Sequence, residues 1–360
     1  MEEFETLHEI VAAARRNLSP NDWDTLNGGA ETETSLRRNR AAIEEIALRP
    51  RVLVDVRKVE LGATVFGMRM RTPVCMAPVG RYRFGGGPPA VFRAAQAFGC
   101  PAMLSSVNQE ADQDEIARSA PGDLRIHQIY VRGDARWLEA EVNRAVANGF
   151  RAICITVDTS VISRRERDIA NRHLRGSPRG TPDLDFQAAF DWRGLEAVRK
   201  YCPVPLIVKG VDGVDDAKRL VEMGIEGIYV SNHGGRQVDH GVASIDALQE
   251  IVAELKGKAT LIVDGGFYRG SDVVKALAMG ADLVGLGRLH CWGLAAAGEA
   301  GVTRVLELLE IEMRMCLQLL GVTSVAELKP RHLAKARNVA AENLHGAFPL
   351  LAKHQSRDLR

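Results

Sequence analysis

The sequence predicts a single (β/α)8 barrel with a helical lid before it and a helical extension after it. Three observations carry that prediction. From residue 73 onward, eight short apolar runs recur, each followed by a polar or Gly-containing turn. Helix-length amphipathic segments separate them, and most gaps hold little more than one helix and its turns. Strands this apolar, alternating with helices, read as βα units around a buried parallel sheet. Eight such units favour a closed barrel over a doubly wound open sheet.

Residues 1–72 come first and are read as the lid, with Asn27–Ala30 (NGGA) as a turn between helices. The strands follow at Pro73–Gly80, Pro101–Val107, Leu124–Val131, Ala152–Thr159, Pro205–Val211, Gly227–His233, Thr260–Gly266 and Leu283–Arg288. Between them, Ala135–Asn148 places Leu138, Val142 and Ala145 on one face, and Val214–Met223 does the same with Ala217, Leu220 and Val221. One gap is long. Ser160–Pro203 has a middle rich in Gly, Pro and charge, and a long loop in a compact fold is usually functional. Residues 302–320 form an amphipathic helix ended by Gly321, and the polar tail from Lys335 is expected to be loosely held. The reading is therefore one domain over 1–360: lid 1–72, barrel strands within 73–290, helices and tail 291–360.

Composition narrows the class. The 360 residues carry 47 Lys plus Arg against 46 Asp plus Glu, a formal net charge of +1. A nucleic-acid binder that neutralises phosphates needs a basic excess, so that partner is excluded. A chain that is 46% hydrophobic with so little net charge is globular rather than disordered. No stretch approaches the length of a membrane span, and MEEFETLHEI lacks a signal peptide's basic start and apolar core. Six scattered cysteines, never in CxxC, read as buried reduced thiols. A cytoplasmic protein without membrane partner is expected.

Barrel sites form where strands end, so the last residues of each run are the candidates. They are Gln128 and Tyr130; Thr156 and Asp158, followed by Arg164 and Arg165; Lys209; Ser231, Asn232 and His233, then Arg236; Asp264, Gly265, Gly266 and Arg269; Gly287 and Arg288. A Lys, a His and two Asp ending apolar strands are costly to bury and call for a functional reason. Gly265, Gly266 and Gly287, beside Arg269 and Arg288, follow strands seven and eight, where barrels commonly bind phosphate. In SNHGGRQ, a His three residues before an Arg offers a base and a carboxylate fork. The plain alternatives are a core-edge histidine and a solvated loop charge. Lys209 reads as a Schiff-base amine, a fixed cation, or the partner of Asp158 or Asp264. His8, His127, His240 and His290 lack metal-ligand spacing, and no metal is expected.

HQIYV, TVDT followed by SRRERD, VKGV, SNHGGRQVD and VDGGFYRGSDVVKALAMGADLVGLGR, in this order, resemble the FMN-dependent 2-hydroxy-acid oxidase and dehydrogenase family. Glycolate oxidase, lactate oxidase, mandelate dehydrogenase and hydroxymandelate oxidase belong to it. The resemblance runs from Asp24 to near Gly321; SNHGGRQ and the DGG–RGSDV–ALAMGA stretch are its specific parts. It implies oxidation of an (S)-2-hydroxy acid to the 2-oxo acid by hydride transfer to flavin N5. Oxygen would be the acceptor, giving peroxide; a quinone or other carrier is the alternative, and a biosynthetic intermediate an alternative substrate. An FMN-binding protein without turnover and a phosphate-binding aldolase barrel are the readings outside oxidation. The family usually forms homotetramers or octamers.

By this resemblance His233 is the base that takes the hydroxyl proton, and Asp158 pairs with its imidazolium. Arg236 and Arg165 clamp the carboxylate, Tyr130 bonds substrate oxygens, and Lys209 stabilises negative charge beside flavin N1 and O2. Pro78, Val79, Gly80, Ser105, Gln128, Thr156 and Ser231 border the flavin. Asp264 matches the ribityl contact; Gly265, Gly266, Arg269, Gly287 and Arg288 match the phosphate site. Departures stand beside the matches. Thr25 occupies the lid position that is usually Tyr, Val107 one that is often aromatic, and Gly80 is the smallest choice. These three predict room for a substrate side chain larger than glycolate's. Gly86–Ala90 (GGPPA) replaces an HPEGE-like segment, and Tyr268 replaces the first Arg of the phosphate loop, predicting weaker FMN binding. The stretch after Arg165 looks shorter than in relatives, predicting an open site.

Overall fold

In a computed structural model the eight apolar runs close into one parallel barrel. The structure describes residues 4–80, 84–107, 111–172, 182–337, 339 and 343–355. The strands are β1 (Val74–Met76), β2 (Ala102–Ser105), β3 (Arg125–Ile129), β4 (Ala152–Thr156), β5 (Leu206–Val211), β6 (Gly227–Val230), β7 (Thr260–Val263) and β8 (Leu283–Leu286). Each pairs with its sequence neighbours, and β8 closes on β1 through Val284–Val74 and Leu286–Met76. All eight predicted runs become strands; seven end before their predicted last residues, which form the mouth, while β5 runs to Val211 as predicted. Strand side chains are buried on both faces, as a parallel sheet under helices requires. Helix faces follow the predicted periodicity: Leu138, Val142 and Ala145 are buried, as are Ala217 and Leu220, while Val221 is half-buried at the edge of the core.

The N-terminal 72 residues are not helical throughout. Helices α1 (Leu7–Asn17), α2 (Pro20–Asn27) and α3 (Thr34–Glu44) precede a hairpin of Ala63–Val65 with Met68–Met70. Its turn residues, Phe66 and Gly67, both have positive φ (50° and 71°), the conformation a two-residue hairpin loop demands. Val65, Met68 and Met70 pack into the barrel interior with Ala152, Ile207 and Leu283 near the strand starts. A Cβ at Gly227, the first residue of β6, would lie 2.8 Å from the Phe66 ring. The hairpin therefore plugs the end of the barrel away from the strand C-termini.

The lid lies over the opposite end. A box of reciprocal bonds between Thr6 and Glu9 caps α1, and Ser19 caps α2 ahead of Pro20. The Ala30 N–H donates to the Gly235 carbonyl at 2.9 Å, and the Glu31 N–H to Arg164 at 2.8 Å. Gly29 is required there, since a Cβ would stand 2.9 Å from the Gly235 oxygen. Two helices follow β8 within Arg288–Leu320, separated by non-helical backbone at Ala297 and Gly298, and the second covers the predicted 302–320. Asn17 donates to the Ala295 and Ala296 carbonyls freed there, both at 3.0 Å. Gly321 (φ 66°) ends the helix as expected.

The described part of the tail departs from expectation: it is held. Leu333–Lys335 pairs antiparallel with Ile46–Leu48. Leu344 and Phe348 are buried, and Phe348 and His345 join Trp23, Tyr268 and Trp292 in one aromatic cluster. A few apolar residues spaced through a polar tail suffice to dock it. The 160–203 stretch is not the long loop expected: helices form at Glu166–Ala170, Pro182–Ala189 and Trp192–Tyr201, and most of its Gly/Pro-rich middle lies outside the described residues.

Candidate active site

The strand ends bring the predicted polar residues to one mouth. His233 follows β6 with φ 59°, the first of three successive left-handed residues, His233, Gly234 and Gly235. A non-glycine residue held there costs about 1–3 kcal/mol, so the surroundings must enforce it. They do: the His233 N–H donates to Ser231 Oγ at 3.0 Å, and the Gly235 N–H to Asn232 Oδ1 at 3.0 Å. Asn232 and Asn39 of α3 exchange reciprocal amide bonds, 2.8 Å each way.

His233 Nδ1 stands 3.0 and 3.1 Å from the two Asp158 carboxylate oxygens. An ionised carboxylate only accepts, so Nδ1 carries the proton and Nε2 carries the lone pair. That lone pair faces the Tyr130 hydroxyl at 3.3 Å. Burial, with Lys209 and Arg165 adding to it, pulls the His233 pKa below the ordinary histidine value despite Asp158. Burial opposes ionisation of Asp158, but His233 and Lys209 hold its carboxyl below the usual range. Burial also pushes the Tyr130 phenol up to about 12, so it stays a donor.

Asp158 reaches this position because β5 bulges. The β5–β6 register shifts between Lys209 and Val211, and Gly210 has φ 100°. A Cβ at Gly210 would fall 2.5 Å from the Asp158 side chain. Gln237 then ties the 158–161 turn, donating to the Asp158 and Val161 carbonyls at 2.9 and 3.0 Å. Neither Gln237 nor Asn39 stands out in the sequence: Gln237 holds backbone carbonyls, Asn39 holds the Asn232 amide, and a lone amide carries no chemical signature.

Lys209 Nζ donates to Ser231 Oγ at 2.7 Å and lies 3.2 Å from Asp264 Oδ2; Ser231 Oγ donates to Asp264 Oδ1 at 2.6 Å. Burial works against the ammonium, yet Asp264 and Asp158 hold its pKa well above the ordinary lysine range. A Schiff-base lysine must be deprotonated to attack, so this environment favours the fixed cation. The pairing with Asp264 is also real.

The flavin-facing residues leave polar atoms unsatisfied. Gln128 donates to Thr156 Oγ1 at 2.8 Å, while its own Oε1 and the Ser105 hydroxyl are buried without a hydrogen-bond partner. A heteroaromatic ring with N–H and C=O groups on its edge meets that need. Above Gly287, the cap of the C-terminal helix, a Cβ would meet nothing within 4 Å, so the helix start faces open space where an anion can approach. These features fit FMN. The two phosphate-side arginines are placed otherwise than expected. Arg269 pairs with Glu312 at 2.5 Å, and Arg288 donates to three backbone carbonyls. Tyr268 is buried in the aromatic cluster.

On the substrate side, the Arg236 guanidinium donates to the Thr25 and Gly28 carbonyls at 2.9 and 2.7 Å. Burial, then the neighbouring cations Arg165 and Arg288, push its pKa well down, with Asp168 and Tyr130 opposing them. Thr25 turns its hydroxyl to Asp168 at 2.6 Å. Pro78, Val79 and Gly80 lie just past β1. Room expected at Gly80 is taken by Val107, whose Cγ2 would be 2.9 Å from a Cβ there.

One consequence is a pH dependence. The base is competent when His233 is neutral, which holds above its pKa and is lost as pH falls through it. Because that pKa lies below the ordinary value of about 6.5, kred/Kd for anaerobic reduction should be flat at neutral pH and fall only in more acid solution. An acid limb centred above neutrality overturns this assignment.

Comparison with known proteins agrees with the geometry. The model of the FMN-dependent dehydrogenase family matches residues 14–335. The peroxisomal (S)-2-hydroxy-acid oxidase GLO4 of Oryza sativa subsp. japonica is 38% identical over 350 residues, covering 91% of this chain and 95% of the relative. L-lactate oxidase of a Nostoc species is 37% identical over 349 residues, covering 89% and 96%. Among solved structures, mandelate oxidase with benzoyl-formic acid superposes with a TM-score of 0.84 at 38% identity, covering 94% of this chain and all of the other.

Proposed function

The chain belongs to the FMN-dependent dehydrogenase family, and from that premise we propose that it oxidises an (S)-2-hydroxy acid to the 2-oxo acid with FMN as cofactor. The observation that carries the reading is the chain Asp158–His233–Tyr130 in the mouth that also holds Lys209 and Arg236. Binding a flavin needs no base and no carboxylate fork; oxidising a hydroxy acid needs both.

Bound FMN supplies the acceptor for the substrate's α-hydrogen, taken as hydride. Everything else is done by the chain. Arg236 and Arg165 bind the carboxylate, whose charge opposes the burial and the cation repulsion that depress Arg236. Tyr130 donates to a substrate oxygen and orients it. His233 Nε2 takes the hydroxyl proton, and Asp158, 3.0 Å from Nδ1, stabilises the imidazolium. Ser105, Gln128, Thr156, Pro78, Val79 and Gly80 line the ring side; Asp264, Gly265, Gly266 and Gly287 line the side of the ribityl phosphate. Lys209 holds a positive charge beside the ring.

Oxygen is proposed as the final acceptor, as in relatives named oxidases; the alternative is a quinone or another carrier, and the rate of reoxidation in air separates them. No described helix is long and apolar enough to cross a membrane. Six free cysteines support a reducing, cytoplasmic setting, and Ile311, Met315 and Leu319, exposed on one helix face, support a homotetramer or octamer.

Thr25 and Val107 favour a substrate with an aromatic or long side chain. Anaerobic bleaching by a panel of S- and R-hydroxy acids tests both the class and the size. The S-acids should react, and (S)-mandelate should outperform glycolate in kred/Kd. Clear preference for glycolate removes the size argument; no bleaching by any member removes the function.

A further inference from the structure

The Arg288 side chain serves the substrate side of the mouth. Its residue begins the C-terminal helix beside the proposed phosphate site, yet the guanidinium turns toward the lid. Nε donates to the Leu26 carbonyl at 3.1 Å, Nη2 to Gly28 at 2.9 Å, and Nη1 to Gly234 at 3.0 Å. Three of its five N–H groups are thereby used on the lid and on the turn after β6, and the Tyr268 hydroxyl also bonds the guanidinium. The side chain is buried, so these are desolvated, charge-assisted bonds.

Two of the three carbonyls lie in the Thr25–Gly28 stretch, and the third lies between His233 and Arg236. Arg236 grips the same stretch from the other side, sharing the Gly28 carbonyl with Arg288 at 2.7 Å and adding Thr25. Thr25 in turn holds Asp168. Gly234, whose φ of 65° favours glycine, lets Arg288 lie close: a Cβ there would be 2.9 Å from Nη1. Arg288 thus fastens the lid segment to the turn that carries the base and the carboxylate fork. It adds a third cation to Arg165 and Arg236, whose mutual repulsion a bound carboxylate relieves.

We propose that Arg288 is a positioning residue for the substrate carboxylate, holding Arg236 and the 25–28 segment in place, and that the cofactor phosphate is held by backbone N–H groups of the glycine loops and the helix start. This rests on the hydroxy-acid oxidase reading, and the test separates the two. Holoenzyme carrying Arg288→Gln or Arg288→Lys is titrated with benzoylformate, an unreactive 2-oxo carboxylate, and binding is followed by flavin absorbance. FMN affinity is measured separately by adding FMN to the apoprotein. Benzoylformate affinity and the KM for (S)-mandelate should each weaken about ten-fold or more in Arg288→Gln. FMN affinity should change by less than about two-fold, since no phosphate contact is lost. Arg288→Lys keeps the charge but not the fork, so it should fall between wild type and Gln in carboxylate affinity, and it serves alone if Gln fails to fold. A ten-fold loss of FMN affinity in either variant, or unchanged benzoylformate affinity in both, overturns the proposal. A wild-type holoenzyme that no hydroxy acid bleaches sinks the activity instead, while the benzoylformate and FMN titrations still judge Arg288.

Discussion

His233→Ala should yield a yellow protein that 2-hydroxy acids bleach about 10²–10⁴ times more slowly than the wild type. The expectation follows from position. His233 Nε2 is the basic nitrogen of the assembled triad, carrying no proton and not bonded to a carboxylate. Asp158 is pinned by Nδ1, and Tyr130, with its phenol near 12, is a donor. Among the described neighbours, Lys209 is held as a cation and Arg236 is a guanidinium, so neither takes the proton, and the Asp158 carboxylate is a weaker base than the imidazole it loses. FMN should stay bound, since the imidazole is bonded to Asp158 and Tyr130 rather than to the glycine loops. Asp158→Asn should lie between. It keeps a hydrogen-bond partner for the ring but removes the charge that stabilises the imidazolium, and the amide can impose the wrong tautomer. If His233→Ala reduces within about ten-fold of wild type, the base lies elsewhere.

Much of this arrangement was legible in the sequence, for physical reasons. A Lys, a His and two Asp stand out at the ends of apolar strands because burying them unpaired is expensive, and their meeting point is fixed once eight parallel strands close. His233, Asp158, Lys209 and Asp264 come together as those strand ends implied. What the sequence concealed depends on direction rather than on position. Arg288 occupies the residue next to the phosphate glycines, but side-chain torsions carry its charge to the lid, and no local pattern encodes them. Asn39, Gln237 and Asp168 lie far in sequence from the groups they hold and share residue types with any solvated loop. The hairpin at 63–70 hid in two three-residue strands too short for period-two alternation to show. The tail was misread because its overall polarity masked the few apolar residues that dock it.

Lys209→Met should damage stability and reduction together, and a second substitution should pull the two apart. In the wild type the ammonium sits between Ser231 and Asp264, with its side chain 4% exposed. Removing it strands the Asp264 carboxylate beside the Ser231 hydroxyl, and breaking a buried pair from one side costs about 3–5 kcal/mol. Reduction should fall as well, by about 10²–10³, because a preorganised cation that cannot relocate is lost where negative charge arrives with the hydride. The double variant Lys209→Met/Asp264→Asn removes the stranded charge. Most of the lost stability should return in chemical denaturation, whereas reduction should remain as slow as in the single variant. Recovery of both would mean that Lys209 merely neutralises Asp264, and the electrostatic assignment would be wrong. The same pair of variants bears on the aldolase alternative: an amine kept protonated by two carboxylates should not be trapped by borohydride with any carbonyl substrate. A trapped adduct that disappears in Lys209→Met would replace the cation with a nucleophile.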